Sequence, residues 1–485
     1  MKTLNKYIAG VSTAAVLLTV MSCSKTFYSD KNVNPNAPIS VLPNTLLTPV
    51  EVSLAYAQGG DMSRFTSMYD QQTTGVSRQC QAYNEYIFTN QDPETMWDNM
   101  YTANMYNDYN LMQVTSNGKY NAYKGIAEVL MAYNLQLMVD CWGQIPYSQA
   151  FKGTANLTPG FDNDAILYAN AKALCYTGIS DLNNSANDAI LPGADDVVYG
   201  GNTASWVKFA YGIMARLEIH QSQTGSGNVA MADSALAHAN MSLASNADNA
   251  QVMFGNAATS NAPWFQFTTQ RGDINFALDA SYSVDGFFFG MLSGMNDPRR
   301  YLLADSVDES TGDIYSGIST SYYQQPNSPV EFICYDEVQF IAAEATLRSG
   351  GSVVTANTLY QNGITANMNK VGSNAALGTI SPAQITAYLA TYGNLSVISK
   401  DSALAQIALQ NYIALYLNPE AWTVWRRSCK INGFASGSPA LTPVTGPYTA
   451  NGVPRRFLYP QTELNLNSGN VPNATQWSPK VFWDN

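Results

Sequence analysis

The chain has few charged side chains: Asp, Glu, Lys and Arg make up 12% of its 485 residues, against about 25% in an ordinary globular domain. Positive charge is the scarcer sign, since 24 Lys and Arg stand against 36 Asp and Glu, for a net charge of -12. Phosphate backbones repel an acidic chain, so we expect no nucleic-acid partner. Asn, Gln, Ser, Thr and Tyr must cover the surface, which suits neutral ligands such as sugars and peptides. The alternative is an extracellular protein whose surface simply favours these residues.

Histidine and cysteine are also scarce. The two histidines, His220 and His238, lie far from any pair of cysteines, so no zinc-binding spacing is present. The five cysteines after Cys23 are widely spaced, and we expect no disulfide framework, with a single chance pair left open. GxSxG, HExxH, Walker and Rossmann fingerprints are all missing. We therefore expect no cofactor, no metal and no catalytic residue; a metal bound in the acidic loops is the open alternative.

The first 22 residues have the parts of a secretory signal. Lys2 and Lys6 give a basic start, and residues 7–20 are apolar but shorter than the ~20 residues that a spanning helix needs. A serine then directly precedes Cys23, which resembles the lipobox of bacterial lipoproteins. We expect residues 1–22 to be a lipoprotein signal peptide and Cys23 to carry acyl chains such as palmitate, because several chains give durable membrane attachment. The alternative is a cleaved secretory signal with an incidental cysteine.

Residues 23–44 are rich in Pro, Asn and Ser, which predicts an extended tether between lipid and fold. From residue 45 onward, apolar residues recur at spacings of three and four, the mark of helices with one buried face. Such patterns cover residues 121–141, 163–183, 203–222, 229–246, 333–349, 353–369, 381–392 and 401–417. In the second pattern the expected buried stripe is Ile166, Ala169, Ala173, Tyr176 and Ile179. Helix pairs without a strict sequence period predict a helical-repeat scaffold.

Residues 247–330 differ in composition from the rest. Asn, Gly, Ser, Asp and Pro are frequent there, interrupted by aromatic runs at 264–267 and 287–289. Long stretches without periodicity are uncommon in compact proteins and are often functional. We therefore expect a loop-rich insertion within one domain that spans residues 45–485.

Several segments together resemble the SusD/RagB family of outer-membrane nutrient-binding lipoproteins. They are residues 34–36 (NPN), 140–148 (DCWGQIPYS), 296–300 (NDPRR), 337–345 (EVQFIAAEA), 420–427 (EAWTVWRR), 455–463 (RRFLYPQTE) and 482–484 (FWD). Each segment alone is weak evidence for the family. Together they follow one another along the chain in the order that the family has. Two departures are Cys141, where another apolar residue is more usual, and Pro419, which interrupts the last helix before Glu420.

The resemblance implies a fold and a role. The fold would be mostly α, with a tetratricopeptide-like helix-pair scaffold and an irregular, loop-rich ligand-binding half. The protein would sit outside the cell at the outer membrane, held by its lipid anchor alone. It would capture oligosaccharide, or alternatively oligopeptide, and deliver it to a partner TonB-dependent transporter (SusC-like). It would not be an enzyme.

We expect ligand contacts on loops that combine aromatic rings with hydrogen-bonding groups, because sugar faces stack on rings while amides and guanidinium groups pair with hydroxyls. The candidates are Arg78, Gln81, Tyr83, Asn84, Tyr86, Trp264, Phe288 and Tyr322. The alternative for any one of these rings is packing within the loops. We expect Trp97 to lie in the core and not to contact ligand, because its spacing with Tyr101 and Met105 is helical.

Two other classes of function compete with binding. A surface glycosidase needs two carboxylates about 5 to 9.5 Å apart across a cleft, and the acids of this chain leave that possible. A purely structural surface protein would bind no nutrient at all. Turnover of a glycan would favour the first class, and the absence of any ligand would favour the second.

Overall fold

A computed structural model describes residues 41–75, 78–223, 228–270, 278–279 (backbone only), 287–303, 321–431 and 437–484. The predicted signal peptide, Cys23 and nearly all of the tether lie outside the described residues, as do parts of the loop-rich insertion. Pro43–Asn485 clusters as one compact unit.

Helices dominate the described part of the chain, which confirms the mostly α prediction. Those before the loop-rich insertion are α1 (Asn44–Ala57), α2 (Ser63–Tyr69), α3 (Arg78–Asn84), α4 (Glu94–Asp98), α5 (Tyr106–Val114), α6 (Asn121–Trp142), α7 (Asp164–Asn183), α8 (Thr203–Gln221) and α9 (Asn228–Met241). Those within and after it are α10 (Pro263–Phe265), α11 (Phe287–Gly294), α12 (Arg300–Leu303), α13 (Tyr335–Arg348), α14 (Val353–Val371), α15 (Pro382–Tyr392), α16 (Lys400–Ala414), α17 (Glu420–Ser428) and α18 (Gln461–Leu466). Three further segments are π-helical: π1 (Gln58–Met62), π2 (Asn99–Met105) and π3 (Gln266–Gln270).

The strands are short and pair in two small antiparallel sheets. They are β1 (Thr74–Gly75), β2 (Ala250–Met253), β3 (Leu278–Asp279) and β4 (Pro329–Ile333). β1 pairs with β3, and β2 pairs with β4 with an irregular register between Ala250 and Gln251. β2 and β4 therefore tie the two ends of the loop-rich insertion together. None of the helices within the described ranges is long and apolar enough to cross a membrane.

The scaffold is built from helices that pack in consecutive pairs. α6 packs on α7, α8 on α9 and α13 on α14, while α9 also packs on α13. The closest approach is between α6 and α7, where a Cβ added to Gly125 would lie 2.8 Å from the carbonyl oxygen of Gly178 and 2.7 Å from Leu182 Cγ. Glycine at these positions lets the two backbones touch. The helix-pair architecture matches the repeat scaffold that the sequence predicts.

Local signals place most helix ends correctly. α6 stops at Gly143, whose φ of +75° is available to glycine at little cost. Asn163 and Ser381 cap α7 and α15 by accepting bonds from free backbone N–H groups. Asn418 accepts a bond from the Glu420 N–H at 3.0 Å just before α17.

The buried face predicted for α7 is largely wrong, although Ile179 of the expected stripe is buried. Ile166 and Tyr176 of the expected stripe are 57% and 49% exposed. The buried side chains include Leu167, Tyr168 and Cys175 instead. In a sequence with few charges both sides of a helix carry apolar residues, so periodicity alone does not choose between them. The Tyr168 hydroxyl settles the rotation of α7, because it hydrogen-bonds to buried partners on α6 and α8.

Four helices meet at a buried charge cluster, which comprises Asp140 (α6), Arg216 and His220 (α8), Glu337 (α13) and Glu420 (α17). Arg216 Nε and Nη2 donate to the Glu337 carboxylate at 2.7 and 2.6 Å. His220 Nε2 lies 2.8 Å from Glu420 Oε1, and its Nδ1 lies 3.7 Å from Asp140 Oδ1. All five side chains are at most 4% exposed. Because unpaired charges are costly in the interior, this cluster fixes how the four helices pack.

The charge of His220 depends on its carboxylate neighbours. Burial lowers the pKa of the imidazole, but Glu420 and Asp140 raise it more, so the pKa of His220 lies above its ordinary value. A histidine whose pKa is raised by folding stabilises the fold fully below its unfolded pKa of about 6.5, and that stabilisation is lost as pH rises through the folded pKa. Below that raised pKa, protonated His220 therefore contributes to the native packing.

We expect His220→Gln to destabilise the fold by about 3 kcal/mol or more, because it removes one partner of a buried ion pair. Glutamine keeps hydrogen-bonding capacity but not charge. The difference in unfolding free energy between wild type and variant should be largest near pH 6 and shrink towards pH 9. Chemical denaturation across that range measures it. A difference that grows with pH would contradict the cationic assignment.

We expect Gly125→Ala to lower the free energy of unfolding by about 1–3 kcal/mol, because the new methyl group clashes with the backbone of α7. Gly294→Ala in α11 is the matched control, since a Cβ there meets nothing within 4 Å. Thermal unfolding of both variants tests the contact. An equal effect of the two substitutions would show that close packing of α6 on α7 is not needed.

Candidate functional site

The three π-helical segments surround a single surface cleft of about 200 Å³. Its lining residues are Tyr56, Ala57, Gly60, Asp61, Met96, Asn99, Pro263, Gln266 and Phe267. π-helical turns are rare and are frequently found at functional sites. Their convergence from three separate parts of the chain makes this the candidate ligand cleft.

The geometry of π1 follows from two glycines. Gly60 has φ -91° and ψ -121°, outside the helical region, so the helix is kinked there. A Cβ added to Gly59 would lie 2.6 Å from Val330 Cγ2, so only glycine lets π1 lie directly against β4. Asp61 therefore leaves the kink with its side chain partly exposed at the rim of the cleft.

An ion pair borders the cleft and keeps it close to neutral. Arg64 Nη2 lies 2.8 Å from Asp61 Oδ1. The Arg64 guanidinium carbon also lies 4.7 Å from the ring centre of Phe65, 5.8 Å from that of Tyr83 and 5.5 Å from that of Phe267. Within the described ranges, Arg64 Nε and Nη1 have no hydrogen-bond partner. This guanidinium therefore contacts both the rings of Phe65, Tyr83 and Phe267 and the carboxylate of Asp61 at the rim.

Hydrogen-bonding groups form another part of the cleft wall. Gln266 Nε2 donates to the Asn261 carbonyl at 2.7 Å and to the Tyr56 hydroxyl at 3.1 Å. Tyr56 in turn donates to the Asn261 carbonyl at 3.1 Å, and its ring meets Phe254 edge-on. Asn99 is exposed on π2. The cleft thus combines an apolar floor with amide, hydroxyl and carboxylate groups that can pair with ligand hydroxyls.

Two of the candidates from the sequence lie directly behind this cleft. Tyr83 is 3% exposed, packs edge-on against Phe65 and donates to Asp92 Oδ1 at 2.6 Å. Trp264 is 4% exposed, donates to Ser63 Oγ at 2.8 Å and packs edge-on against Phe267. Both rings support the floor, and ligand contact by either stays a prediction.

Phe288 and Tyr322 belong to an aromatic group on the far side of Trp264. Phe288 stacks on Tyr416 with ring centres 4.7 Å apart, and Tyr322 meets Tyr323 edge-on at 4.9 Å. Tyr323, Tyr416 and Trp264 share a void of about 30 Å³, room for one water molecule. These rings pack behind the cleft.

The remaining candidates divide between surface and core. Arg78 and Gln81 are exposed on α3, whereas Asn84 is buried and Tyr86 is fully buried. The Tyr86 carbonyl accepts a bond from Gln476 Nε2 at 3.1 Å, which favours a packing role. Of this segment, Arg78 and Gln81 are placed where a ligand could reach them.

Sequence reasoning missed the residues that shape the cleft most directly, namely Asp61, Arg64, Asn99, Gln266 and Phe267. Two signals were available. The aromatic run at 264–267 contains Gln266 and Phe267, and the Gly59-Gly60 pair stands immediately before Asp61. Glycines inside a helical pattern mark a kink or a close approach of another backbone.

One group of acidic and histidine side chains within the described ranges is close enough to hold a metal ion: Asp140, His220 and Glu420 of the buried charge cluster. Both nitrogens of His220 are already hydrogen-bonded, to Tyr168 and Glu420 at 2.8 Å each. Asp140 accepts bonds from Gln136, Tyr168 and Trp483. Because protein donors and cations already satisfy these ligand atoms, the group does not fit a metal.

The comparisons with known proteins agree with this fold. A SusD/RagB family protein from Bacteroides thetaiotaomicron has 21% identity and a TM-score of 0.69, covering 92% of this chain and 99% of that one. A chitin-binding SusD homolog from Flavobacterium johnsoniae has 18% identity and a TM-score of 0.70, with 91% and 97% covered. Another chitin-binding protein has 20% identity and a TM-score of 0.71, with 91% and 100% covered. No curated protein matches this chain in sequence.

Family membership rests on a match over most of the chain. Residues 35–460 match the SusD-like family model described as "Starch-binding associating with outer membrane". The matched range includes every helix of the scaffold from α1 to α17 and all three π-helical segments. The chain therefore belongs to the SusD-like family of outer-membrane-associated nutrient-binding proteins.

Proposed function

We propose that this protein captures a neutral oligosaccharide in the cleft between π1, π2 and π3 and delivers it to a TonB-dependent outer-membrane transporter. The observation that carries the proposal is the cleft itself, in which three irregular helical turns bring an apolar floor and several hydrogen-bonding side chains together. Two structural neighbours that are named as chitin-binding support a carbohydrate as cargo.

The chemistry of the cleft favours a neutral sugar. Met96, Pro263 and Phe267 line the cleft with largely buried apolar side chains, whose exposed edges suit the hydrophobic face of a sugar ring. Asn99 and Gln266 offer amides for its hydroxyls. Because Arg64 already neutralises Asp61, the cleft gives no strong preference for a charged ligand. Its volume suits one sugar unit of a longer chain.

The residues of this cleft are better suited to binding a glycan than to hydrolysing it. A glycosidase needs two carboxylates flanking the scissile bond. Among the described residues that line the cleft, Asp61 is the single carboxylate, and it is paired with Arg64. We therefore propose a binding protein with no catalytic residue.

Oligopeptide cargo is the second candidate, because amides and apolar surface also suit an extended peptide.

We further propose that residues 1–22 are removed and that Cys23 carries the lipid that holds the protein at the outer membrane, facing outside. The described fold begins close to the predicted end of the tether, with α1 starting at Asn44. A tether of residues 23–44 would let the domain reach over a transporter while its lipid remains in the membrane.

We expect Gln266→Ala to weaken oligosaccharide binding by about five-fold, the loss of about 1 kcal/mol that one neutral hydrogen bond supplies. Phe267→Ala should weaken binding more, because the floor loses its ring. Isothermal titration with chitin and starch oligosaccharides measures both. Gln113→Ala is the matched control, since Gln113 is exposed on α5 and does not line the cleft. Equal affinities for all variants would place the binding site elsewhere, and release of shorter sugars would mean catalysis.

We expect Cys23→Ala to leave the fold intact and to abolish membrane attachment, because the thioether to the lipid cannot form. Cell fractionation with metabolic labelling by a palmitate analogue measures this, and Cys80→Ala is the control. Recovery of labelled Cys23→Ala protein in the membrane fraction would refute the anchor.

An affinity pull-down with the lipidated wild type should recover a large β-barrel transporter.

A further inference from the structure

A second cleft, of about 450 Å³, lies between the turn that precedes α12 and one face of α15. Its lining residues are Met295, Asn296, Asp297, Pro298, Arg300, Tyr301, Gln384, Ala387, Tyr388, Thr391 and Tyr392. None of them lines the cleft between the π-helical segments. The two clefts are therefore separate surfaces of the described fold.

One wall of the second cleft is a single face of α15. Gln384, Ala387, Tyr388 and Thr391 follow at spacings of three, four and seven residues, which places them on the same side of the helix. Gln384 and Thr391 are exposed. The Gln384 Oε1 accepts bonds from the Ser381 N–H and hydroxyl in the capping box, so its amide N–H groups are the donors that this side chain can offer a ligand. This wall therefore offers donors and acceptors for ligand hydroxyls.

The other wall carries an exposed ring and a cation. Tyr301 is 48% exposed, and the Arg300 guanidinium carbon lies 4.4 Å from its ring centre. Asp297 is already neutralised by Arg299, which donates to both of its oxygens at 2.9 and 2.6 Å. Within the described ranges, Arg300 forms no ion pair, so the wall has a net charge of +1. That local sign is opposite to the charge of the whole chain.

Buried bonds hold this wall in place. Arg299 is fully buried and also donates to Asn367 Oδ1 at 2.9 Å and to Gln410 Oε1 at 2.8 Å. Arg300 and Tyr301 follow directly in the chain, so α14 and α16 fix their backbone positions through Arg299. A platform fixed before binding loses little conformational entropy when a ligand arrives.

We propose that the second cleft is a carbohydrate subsite for a uronic acid residue, whose ring packs on Tyr301 and whose carboxylate pairs with Arg300. A planar guanidinium can form two parallel bonds to a carboxylate, and the neighbouring amide and hydroxyl groups on α15 take the ring hydroxyls. The subsite extends the proposed role in glycan capture, but its existence does not depend on the first cleft. The protein would hold acidic sugar units here and neutral ones between the π-helical segments.

Trisaccharides of galacturonate, glucuronate and mannuronate, each with its methyl ester, test the subsite by isothermal titration to the full chain. We expect at least one acid to bind, and its methyl ester to bind about tenfold more weakly, as for loss of a charge-assisted bond. Arg300→Gln should remove that difference, Arg300→Lys should restore part of it, and Tyr301→Ala should weaken both forms. Affinity should also fall with added salt.

Controls separate this subsite from the first cleft and from general charge effects. Lys119→Gln removes an exposed positive charge elsewhere, and Tyr106→Ala removes an exposed ring of 46% exposure; both should leave uronate binding unchanged. Phe267→Ala should also leave it unchanged, because that ring belongs to the first cleft. Absence of binding by every uronate, or equal binding of acid and ester, would overturn the subsite even if neutral glycans bind the first cleft.

Discussion

The arrangement of the helical scaffold depends on one set of interactions, the buried charge cluster that joins α6, α8, α13 and α17. Asp140, Glu337 and Glu420 come from segments far apart in the chain, and Arg216 and His220 of α8 pair with them in the interior. A charge left unpaired there would cost several kcal/mol. The four helices are therefore held in one packing, and the shorter segments that form the clefts are built on that fixed frame.

The sequence predicts the helices well because their signal is local. Periodicity and capping residues such as Asn163 and Gly143 act within a few positions of each other. The rotation of α7 was predicted wrongly because it depends on hydrogen bonds from Tyr168 to other helices, which periodicity does not record. The first cleft was only partly predictable, since the position of π1 against β4 depends on the contact between Gly59 and Val330, which is distant in sequence.

In the proposed roles, the two clefts would bind ligand groups of different charge. Between the π-helical segments, Asp61 and Arg64 cancel each other and leave a neutral, hydrogen-bonding surface. Beside α15, Arg299 cancels Asp297, and among the residues that the structure describes Arg300 is left as an excess positive charge. Screening in physiological salt limits the repulsion by the acidic surface to about 8 Å, so a local cation can still select an anionic group. One chain could in this way hold a glycan of mixed composition at two points.

Hydrogen exchange of the mature protein, with and without a bound neutral oligosaccharide, tests the central claim most directly. The account predicts that added sugar slows amide exchange in π1, π2 and π3, because these segments surround the ligand, while the sugar is recovered intact. Slowed exchange confined to other segments, or recovery of cleaved sugar, would contradict the claim that this cleft captures its cargo without altering it.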